Sequence, residues 1–401
     1  MRRFWQSRSV RMLCCLLLAL HVVVSVSAEP AGPVSVETRT TPSFPTGITF
    51  EATIPVDNDT TIAAASLYYR VADDPTLNQA PVSPTEISDS GDYVTVSRFV
   101  DLQTAFVPPG VALAFFWELT STDATTIVTA SESTPWIDSR FNWEVSQSDQ
   151  ISLHTYGMSD DFVGWMLDQA QATLDDLESR YDLEGVGTIE IWVYPNSGDF
   201  AGTRQANTRE SIAGISYPGS SLILAIVPDG NEREFGRVIP HEISHQALYH
   251  TTNNPFAPPP LWFDEGLATH YQIGGTDHYP AMVWRAAQEN TLFDIASLNA
   301  SFPFQPAQAT LAYASSWSMV GYIETTYGAD GIARVIAAFG EGLPVDDAIN
   351  EALGVSLEQL NADWHTWVLA QGDPGTDSRP LQHPAVPDDP PSERSHCQQA
   401  E

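Results

Sequence analysis

The chain has 401 residues, of which 43% are hydrophobic and 10% aromatic. This composition is typical of a globular protein, and the length is too great for one ordinary core, so at least two folded units are expected. The formal net charge of −34 counts against nucleic acids and anionic membranes as partners, because a field of this sign repels both.

The first 28 residues have the pattern of an export signal. Four arginines precede or flank the start of an apolar run at 12–26, and Val26-Ser27-Ala28 offers a small-residue cleavage site. A signal peptide at 1–28 predicts a secreted or extracytoplasmic protein whose mature chain begins at Glu29. The alternative is an uncleaved anchor, which would make the membrane a partner. Cleavage removes four of the 17 basic residues and none of the 51 acidic ones, which lowers the formal charge to −38.

The mature chain would keep Cys397 as its one cysteine, so neither an internal disulfide nor a thiolate metal site is expected.

Residues 29–140 are predicted to form a β-sandwich. A segment rich in Pro and Thr at 29–47 precedes runs with a two-residue hydrophobic period at 48–54, 67–71 and 113–119. Short strands separated by turn-rich segments favour a small all-β sandwich of immunoglobulin-like type. No ligand site is evident in it, so substrate capture and simple spacing are both open as its role.

Residues 141–371 are predicted to form a second, α+β domain. Apolar residues recur at helical spacing over 162–177, strands are predicted at 189–194 and 221–227, and helices dominate from about 232 to 369. The fold class is therefore multidomain, with a boundary near 135–148 and units expected to be separable. The tail at 372–401 is rich in Pro, Asp, Ser and Gln and is predicted to be disordered.

The candidate chemistry lies in the stretch from His241 to His245, which reads His-Glu-Ile-Ser-His. Histidines four residues apart share one face of a helix, so both imidazoles can hold one ion. Glu242 lies about 100° further round the helix, where it can reach a water on that ion but is badly placed to ligate it. Pro240 is tolerable if the helix begins near 235–238. The alternative is an ordinary amphipathic helix with two partly exposed histidines.

Glu265 is the predicted third ligand. Nineteen residues separate it from His245, enough for the first helix to end and for a second helix to return a carboxylate. Two imidazoles and one carboxylate leave Zn²⁺ an open fourth position for water, so one zinc ion held by His241, His245 and Glu265 is predicted. The alternative for Glu265 is a solvated glutamate near a helix start.

Together these two motifs resemble the gluzincin metallopeptidases, which include the thermolysin-like and aminopeptidase N-like enzymes. The glutamate stands in a Glu-Gly-x-Ala context at 265–268, and Tyr313 follows a few dozen residues later. Over about 140–370 the chain resembles bacterial peptidase MA-like extracytoplasmic proteins, in which a β-sandwich precedes a gluzincin domain.

This resemblance implies a thermolysin-like domain that hydrolyses peptide or protein substrates. It also implies a general-base role for Glu242, a transition-state donor role for Tyr313, and an edge strand within 213–227 to which a peptide adds. No motif that binds a free substrate amino terminus is evident, so endopeptidase and exopeptidase action both stay open, as does the oligomeric state.

The residues themselves are consistent with these roles. Zinc lowers the pKa of its water to about 7, so Glu242 can take up the proton, and a tyrosine hydroxyl suits the developing oxyanion. Tyr313 is either that donor or a structural tyrosine, with His250 and His270 as weaker alternatives. Asp264 and Thr269 are expected to orient the ligating imidazoles.

Two other functions remain open from sequence. One is a catalytically degenerate binding or scaffold protein, and the other is a metal hydrolase that acts on a non-peptide bond. The presence of Glu242 favours an enzyme, because a non-catalytic metal site has no use for that carboxylate.

Overall fold

The computed structural model describes residues 35–55, 61–71, 74–204, 213–254 and 257–373. The predicted signal peptide and nearly all of the predicted disordered tail lie outside these residues. Within the described ranges, no helix combines the length and the apolar character that crossing a membrane requires.

The N-terminal region is β-rich, as predicted. Its described strands form two antiparallel sheets in which alternate side chains point inward, because successive residues of a strand face opposite sides. The immunoglobulin-like type stays a prediction. The strands are β1 (Glu37–Ser43), β2 (Gly47–Pro55), β3 (Ile62–Val71), β4 (Asn78–Pro81), β5 (Ile87–Asp89), β6 (Tyr93–Asp101), β7 (Val111–Ser121), β8 (Thr126–Val128) and β9 (Glu132–Trp136). The sheet orders are β1-β2-β6-β5 and β4-β3-β7-β8, and β9 also pairs with β7.

The following region is a mixed sheet with helices, and its C-terminal half is helical, as predicted. The sheet has the order β10-β11-β12-β14-β13, and β13 runs antiparallel to β14 at one edge. The elements are β10 (Glu144–Gln147), β11 (Ile151–Thr155), α1 (Asp160–Tyr181), β12 (Ile189–Tyr194), α2 (Ser197–Phe200), β13 (Gly214–Tyr217), β14 (Leu222–Ile226), α3 (Glu232–Thr252), α4 (Leu261–Tyr271), α5 (Tyr279–Gln288), α6 (Pro306–Tyr327), α7 (Ala329–Gly340), α8 (Val345–Leu353) and α9 (Leu357–Ala370).

The mixed sheet buries both of its faces, which links the two regions. One face packs on the helical core, whereas Trp192, Tyr194, Leu222 and Leu224 on the other face belong to the same apolar cluster as the N-terminal sheets. The division at residue 140 stays a prediction. The shared cluster counts against independent folding of the two parts, because separating them would expose this apolar face to water.

Helix α3 begins at Glu232, earlier than the 235–238 expected, so Pro240 lies in the helix interior. Proline has no N–H, and the carbonyl of Gly236 therefore lacks its usual helical partner. The Ile273 N–H, just beyond α4, donates to that carbonyl at 2.8 Å. Because Gly236 has no side chain, Ile273 can approach closely: a Cβ at Gly236 would lie 3.0 Å from the Ile273 Cβ. The proline thus ties α3 to the segment that follows α4.

Candidate metal centre

Helices α3 and α4 bring the three predicted ligands together. The Nε2 atoms of His241 and His245 lie 3.2 Å apart, and Glu265 Oε2 lies 3.5 Å from the first and 3.7 Å from the second. The two histidines share a face because they are four residues apart on α3, whereas Glu265 comes from the first half of α4. A compact triangle of two imidazole nitrogens and one carboxylate oxygen results.

The dimensions of this triangle suit zinc. Tetrahedral zinc with ligand bonds of about 2.0–2.1 Å places its ligand atoms about 3.4 Å from one another, close to the three distances found. Glu265 Oε2 is buried and has no hydrogen-bond partner among the described residues. A buried carboxylate oxygen needs a partner that compensates its charge, and a bound cation would be that partner. The residues present therefore fit the ion.

The electrostatics of the cluster also favour a cation. Burial lowers the pKa of His245, but the charges of Asp264, Glu265 and Glu242 and the hydrogen bond with Asp264 together raise it to about 10. Burial raises the pKa of Glu265, yet the two histidines and a hydrogen bond from Tyr313 bring it below its ordinary value. The raised pKa of His245 shows surroundings that stabilise positive charge, and the lowered pKa of Glu265 keeps this carboxylate ionised, the form that ligates a cation.

Asp264 orients one of the imidazoles. Its Oδ1 lies 2.6 Å from Nδ1 of His245, which leaves Nε2 of that ring directed into the triangle. This contact agrees with the orienting role expected for Asp264. Thr269 lines the same cleft, but its hydroxyl is buried without a partner among the described residues, so it does not hold a ligating imidazole.

The two other histidines lie elsewhere. His250 Nε2 is 3.0 Å from the Ser221 hydroxyl, and His270 Nε2 is 3.0 Å from Glu324. Neither histidine is among the described residues that line the cleft, so the structure gives no support to them as transition-state donors.

Glu242 lies between the triangle and the edge strand β13. Its side chain is 8% exposed, and a Cβ built at Gly214 would lie only 2.6 Å from Glu242 Oε1, so the carboxylate packs directly on the backbone of β13. Burial raises the pKa of Glu242; the two histidines lower it, and Glu265 and Asp264 raise it, with a net increase. A carboxylate with a raised pKa binds a proton more readily, which suits a general base at neutral pH.

The helix also positions the edge strand itself. The Gln246 amide donates to the Ser216 hydroxyl at 2.8 Å and to the Leu222 carbonyl at 3.0 Å. These bonds hold β13 and the start of β14 against α3, next to Glu242. The resemblance placed the edge strand within 213–227, and the structure puts that edge at β13.

A cleft of about 810 Å³ opens over the triangle. It is lined by β13, by both ligand helices, and by Arg237, Gln272, Tyr279 and Tyr313. Sequence reasoning missed Arg237 and Tyr279. The spacing of Arg237, four residues before His241, could have placed it on the ligand face of α3, whereas nothing local connects Tyr279 on α5 with this cleft.

Tyr313 reaches the site from α6. Its hydroxyl lies near enough to the Glu265 carboxylate to lower the pKa of that group, and its ring packs edge-on against Phe302 at 4.9 Å. Helix α6 approaches this closely because Gly266 has no side chain: a Cβ there would lie 2.6 Å from the Ser316 carbonyl oxygen. The tyrosine therefore lies next to a candidate ligand, and its role as a transition-state donor stays a prediction.

Comparisons with known proteins identify one family. A family model described as the Peptidase MA superfamily matches residues 169–370. No curated protein matches the chain.

Similar solved structures include an aminopeptidase N family protein from Idiomarina loihiensis, with 12% identity over 82% of this chain and 76% of that one and a TM-score of 0.42. Two others are polysaccharide deacetylases of Bacillus, each with a TM-score of 0.21. The Bacillus cereus protein has 9% identity over 44% of this chain and 57% of its own. The Bacillus anthracis protein, described as putative, has 11% identity over 43% and 56%.

The family match includes the whole of α3, α4 and α6, and it spans half of the chain. Members of this superfamily are peptidases, typically metal-dependent, whose substrates are peptides or proteins. On this match the chain belongs to the Peptidase MA superfamily.

Proposed function

We propose that the chain is a secreted zinc-dependent peptidase. His241, His245 and Glu265 would hold the metal, and Glu242 would act as the general base. The observation that carries the proposal is the triangle of ligand atoms, with edges of 3.2, 3.5 and 3.7 Å, beside a buried carboxylate that does not belong to it.

When bound, zinc supplies Lewis acidity toward water and toward a peptide carbonyl. Glu242 accepts the proton of the attacking water and returns it to the leaving amine, a task for which its raised pKa is suited. Asp264 keeps the His245 ring in one orientation, and Tyr313 does the same for the Glu265 carboxylate. These contacts fix the ligands before substrate arrives, so little reorganisation is needed during reaction.

Strand β13 is the proposed docking edge for the substrate backbone. It pairs with β14 on one side, and its other side has no strand partner within the described part of the chain. An extended peptide that adds to this edge gains main-chain hydrogen bonds and passes Gly214, the residue in contact with Glu242.

Export is proposed from the N-terminal sequence, and amino-terminal sequencing of secreted protein decides it. A terminus at Glu29 agrees with cleavage, whereas an intact Met1 would show a membrane anchor.

The catalytic proposal is tested by zinc content and peptide cleavage in matched variants. Glu242→Gln should keep the zinc and the fold but lose on the order of a hundredfold or more in turnover, since positioned acid–base groups give ~10²–10⁴. His241→Ala should lose both metal and activity. Glu232→Gln is the control. It makes the same chemical change at an exposed residue of the same helix, outside the cleft.

An unchanged rate in Glu242→Gln would refute the mechanism. Zinc-loaded wild type that cleaves no peptide in a broad library would favour the scaffold or the non-peptide hydrolase instead.

A further inference from the structure

We infer that Arg237 binds a carboxylate of the substrate, so that the site selects peptides with an anionic group close to the cleaved bond. This inference deepens the proposed peptidase function and rests on it. The carboxylate can be an acidic side chain or the free carboxyl terminus of a short peptide, since both present the same planar group.

The first support is the position of Arg237. It lies one helical turn before His241 on α3, on the face that carries both histidines, and it lines the cleft. Among the described residues that line this cleft, Arg237 is the only arginine or lysine, whereas Glu242, Asp264 and Glu265 are all acidic. An anionic substrate that enters the cleft meets one fixed cation from a side chain.

The second support is the orientation of the guanidinium. Glu234 accepts from Nε at 3.1 Å and from Nη2 at 2.5 Å, which occupies one edge of the group. Arginine has five N–H donors, so three remain, two on Nη1 and one on Nη2. No partner for these three is found among the described residues. Nη1 and Nη2 form a fork that matches a second carboxylate.

The third support is the position of the Arg237 guanidinium relative to the proposed general base. The hydrogen bond with Glu234 is the main cause that raises the pKa of Arg237, and the nearby charges of Glu242 and Tyr279 add to it. Arg237 in turn lowers the pKa of Tyr279 against the larger effects of burial and Glu265. Arg237 lines the same cleft as the general base Glu242 and as Tyr279 of α5, while 41% of the Arg237 side chain stays exposed.

The competing explanation is an ion pair between neighbouring helix residues. Exposed pairs at i,i+3 contribute little to stability, and such a pair gives Arg237 no influence on substrate choice. Selectivity for a carboxylate therefore separates the two explanations.

The test measures peptide binding to the full-length, zinc-loaded Glu242→Gln variant. This variant is used because slow cleavage leaves the peptides intact during the measurement. One set of probes consists of hexapeptides that are blocked at both ends and carry a single Glu, placed at each position in turn, as their one charged residue. A second set has Gln in place of that Glu and is neutral. One further neutral peptide is left with a free carboxyl terminus. One Glu position or the free terminus should bind on the order of tenfold more tightly than its neutral counterpart, as a charge-assisted hydrogen bond allows. Cleavage of the same peptides by the wild type is followed in parallel.

Three further variants assign the preference. Arg237→Gln should abolish it, and Arg237→Lys, which keeps the charge but loses the fork, should retain part of it. Arg285→Gln, an exposed arginine outside the cleft, removes the same net charge and should leave the preference unchanged. A gain at an internal Glu identifies an acidic side chain, and a gain only with the free terminus identifies the terminal carboxylate.

Each other outcome overturns one idea or both. If peptides bind and are cleaved with no preference, or if the preference survives in Arg237→Gln, the inference is wrong and the peptidase function stands. If Glu-containing peptides bind through Arg237 but the wild type cleaves nothing, the peptidase function is wrong, and only the carboxylate-binding role of Arg237 stands. If no peptide binds and none is cleaved, both are wrong.

Discussion

Gly266 follows the candidate ligand Glu265 at the point where α4 crosses α6, and replacing it with alanine should disturb both packing and metal binding. A Cβ at Gly266 would lie 2.6 Å from the Ser316 carbonyl oxygen and 2.8 Å from Val320 Cγ2, whereas ordinary contacts begin at 3.4 Å. The difference between 3.4 and 2.6 Å means that α4 must move about 0.8 Å away from α6.

Two opposed effects set the change in the free energy of unfolding. Alanine in place of glycine inside a helix stabilises by about 1 kcal/mol, whereas overpacking a tight interior costs about 1–3 kcal/mol. The upper part of that range applies, because the obstacle at Ser316 is backbone and cannot rotate aside. A net loss of about 1–2 kcal/mol is expected. Glu265 moves with α4, so zinc affinity should fall by roughly 10- to 100-fold, as when outer contacts of a metal site are lost.

Denaturant unfolding with and without zinc, together with a zinc-binding titration, measures both effects. Gly164→Ala is the matched control, since Gly164 is an exposed glycine of helix α1 whose Cβ would meet nothing within 4 Å. That variant should gain about 1 kcal/mol and bind zinc normally. A Gly266→Ala protein as stable as the control, with unchanged zinc affinity, would refute the idea that close α4–α6 packing positions the ligand.

Three further predictions follow from the same contacts. Tyr313→Phe should retain zinc and lower kcat more than it changes KM; unchanged kinetics would make this tyrosine structural. Gly214→Ala should displace Glu242 and remove most peptide cleavage while zinc stays bound, whereas Gly187→Ala, where a Cβ meets nothing within 4 Å, should behave as wild type. A fragment that begins at Trp143 exposes the outer face of the mixed sheet. It should therefore associate in size-exclusion chromatography or unfold at a lower temperature than the full chain. A monomeric fragment with full stability and bound zinc would show that the shared cluster is dispensable.

The sequence by itself determined the features that depend on local periodicity. His241 and His245 share a helix face because residues four apart on any helix do so. The alternation over 48–54 and 113–119 likewise predicted strands with one buried side. The family could likewise be recognised from the short motif and Glu265, because metal chemistry constrains residue types strongly.

Only the tertiary structure decided which distant segments meet. That Pro240 is tolerated inside α3 depends on Ile273, which supplies the donor for the carbonyl that the proline leaves free. That Arg237 and Tyr279 face one cleft depends on the path of the chain between α3 and α5. Such contacts arise from packing between elements far apart in sequence, and no local pattern of residues encodes them. The same holds for the apolar cluster shared by the N-terminal sheets and the mixed sheet, since a strand's periodicity shows that a face is buried but not what covers it.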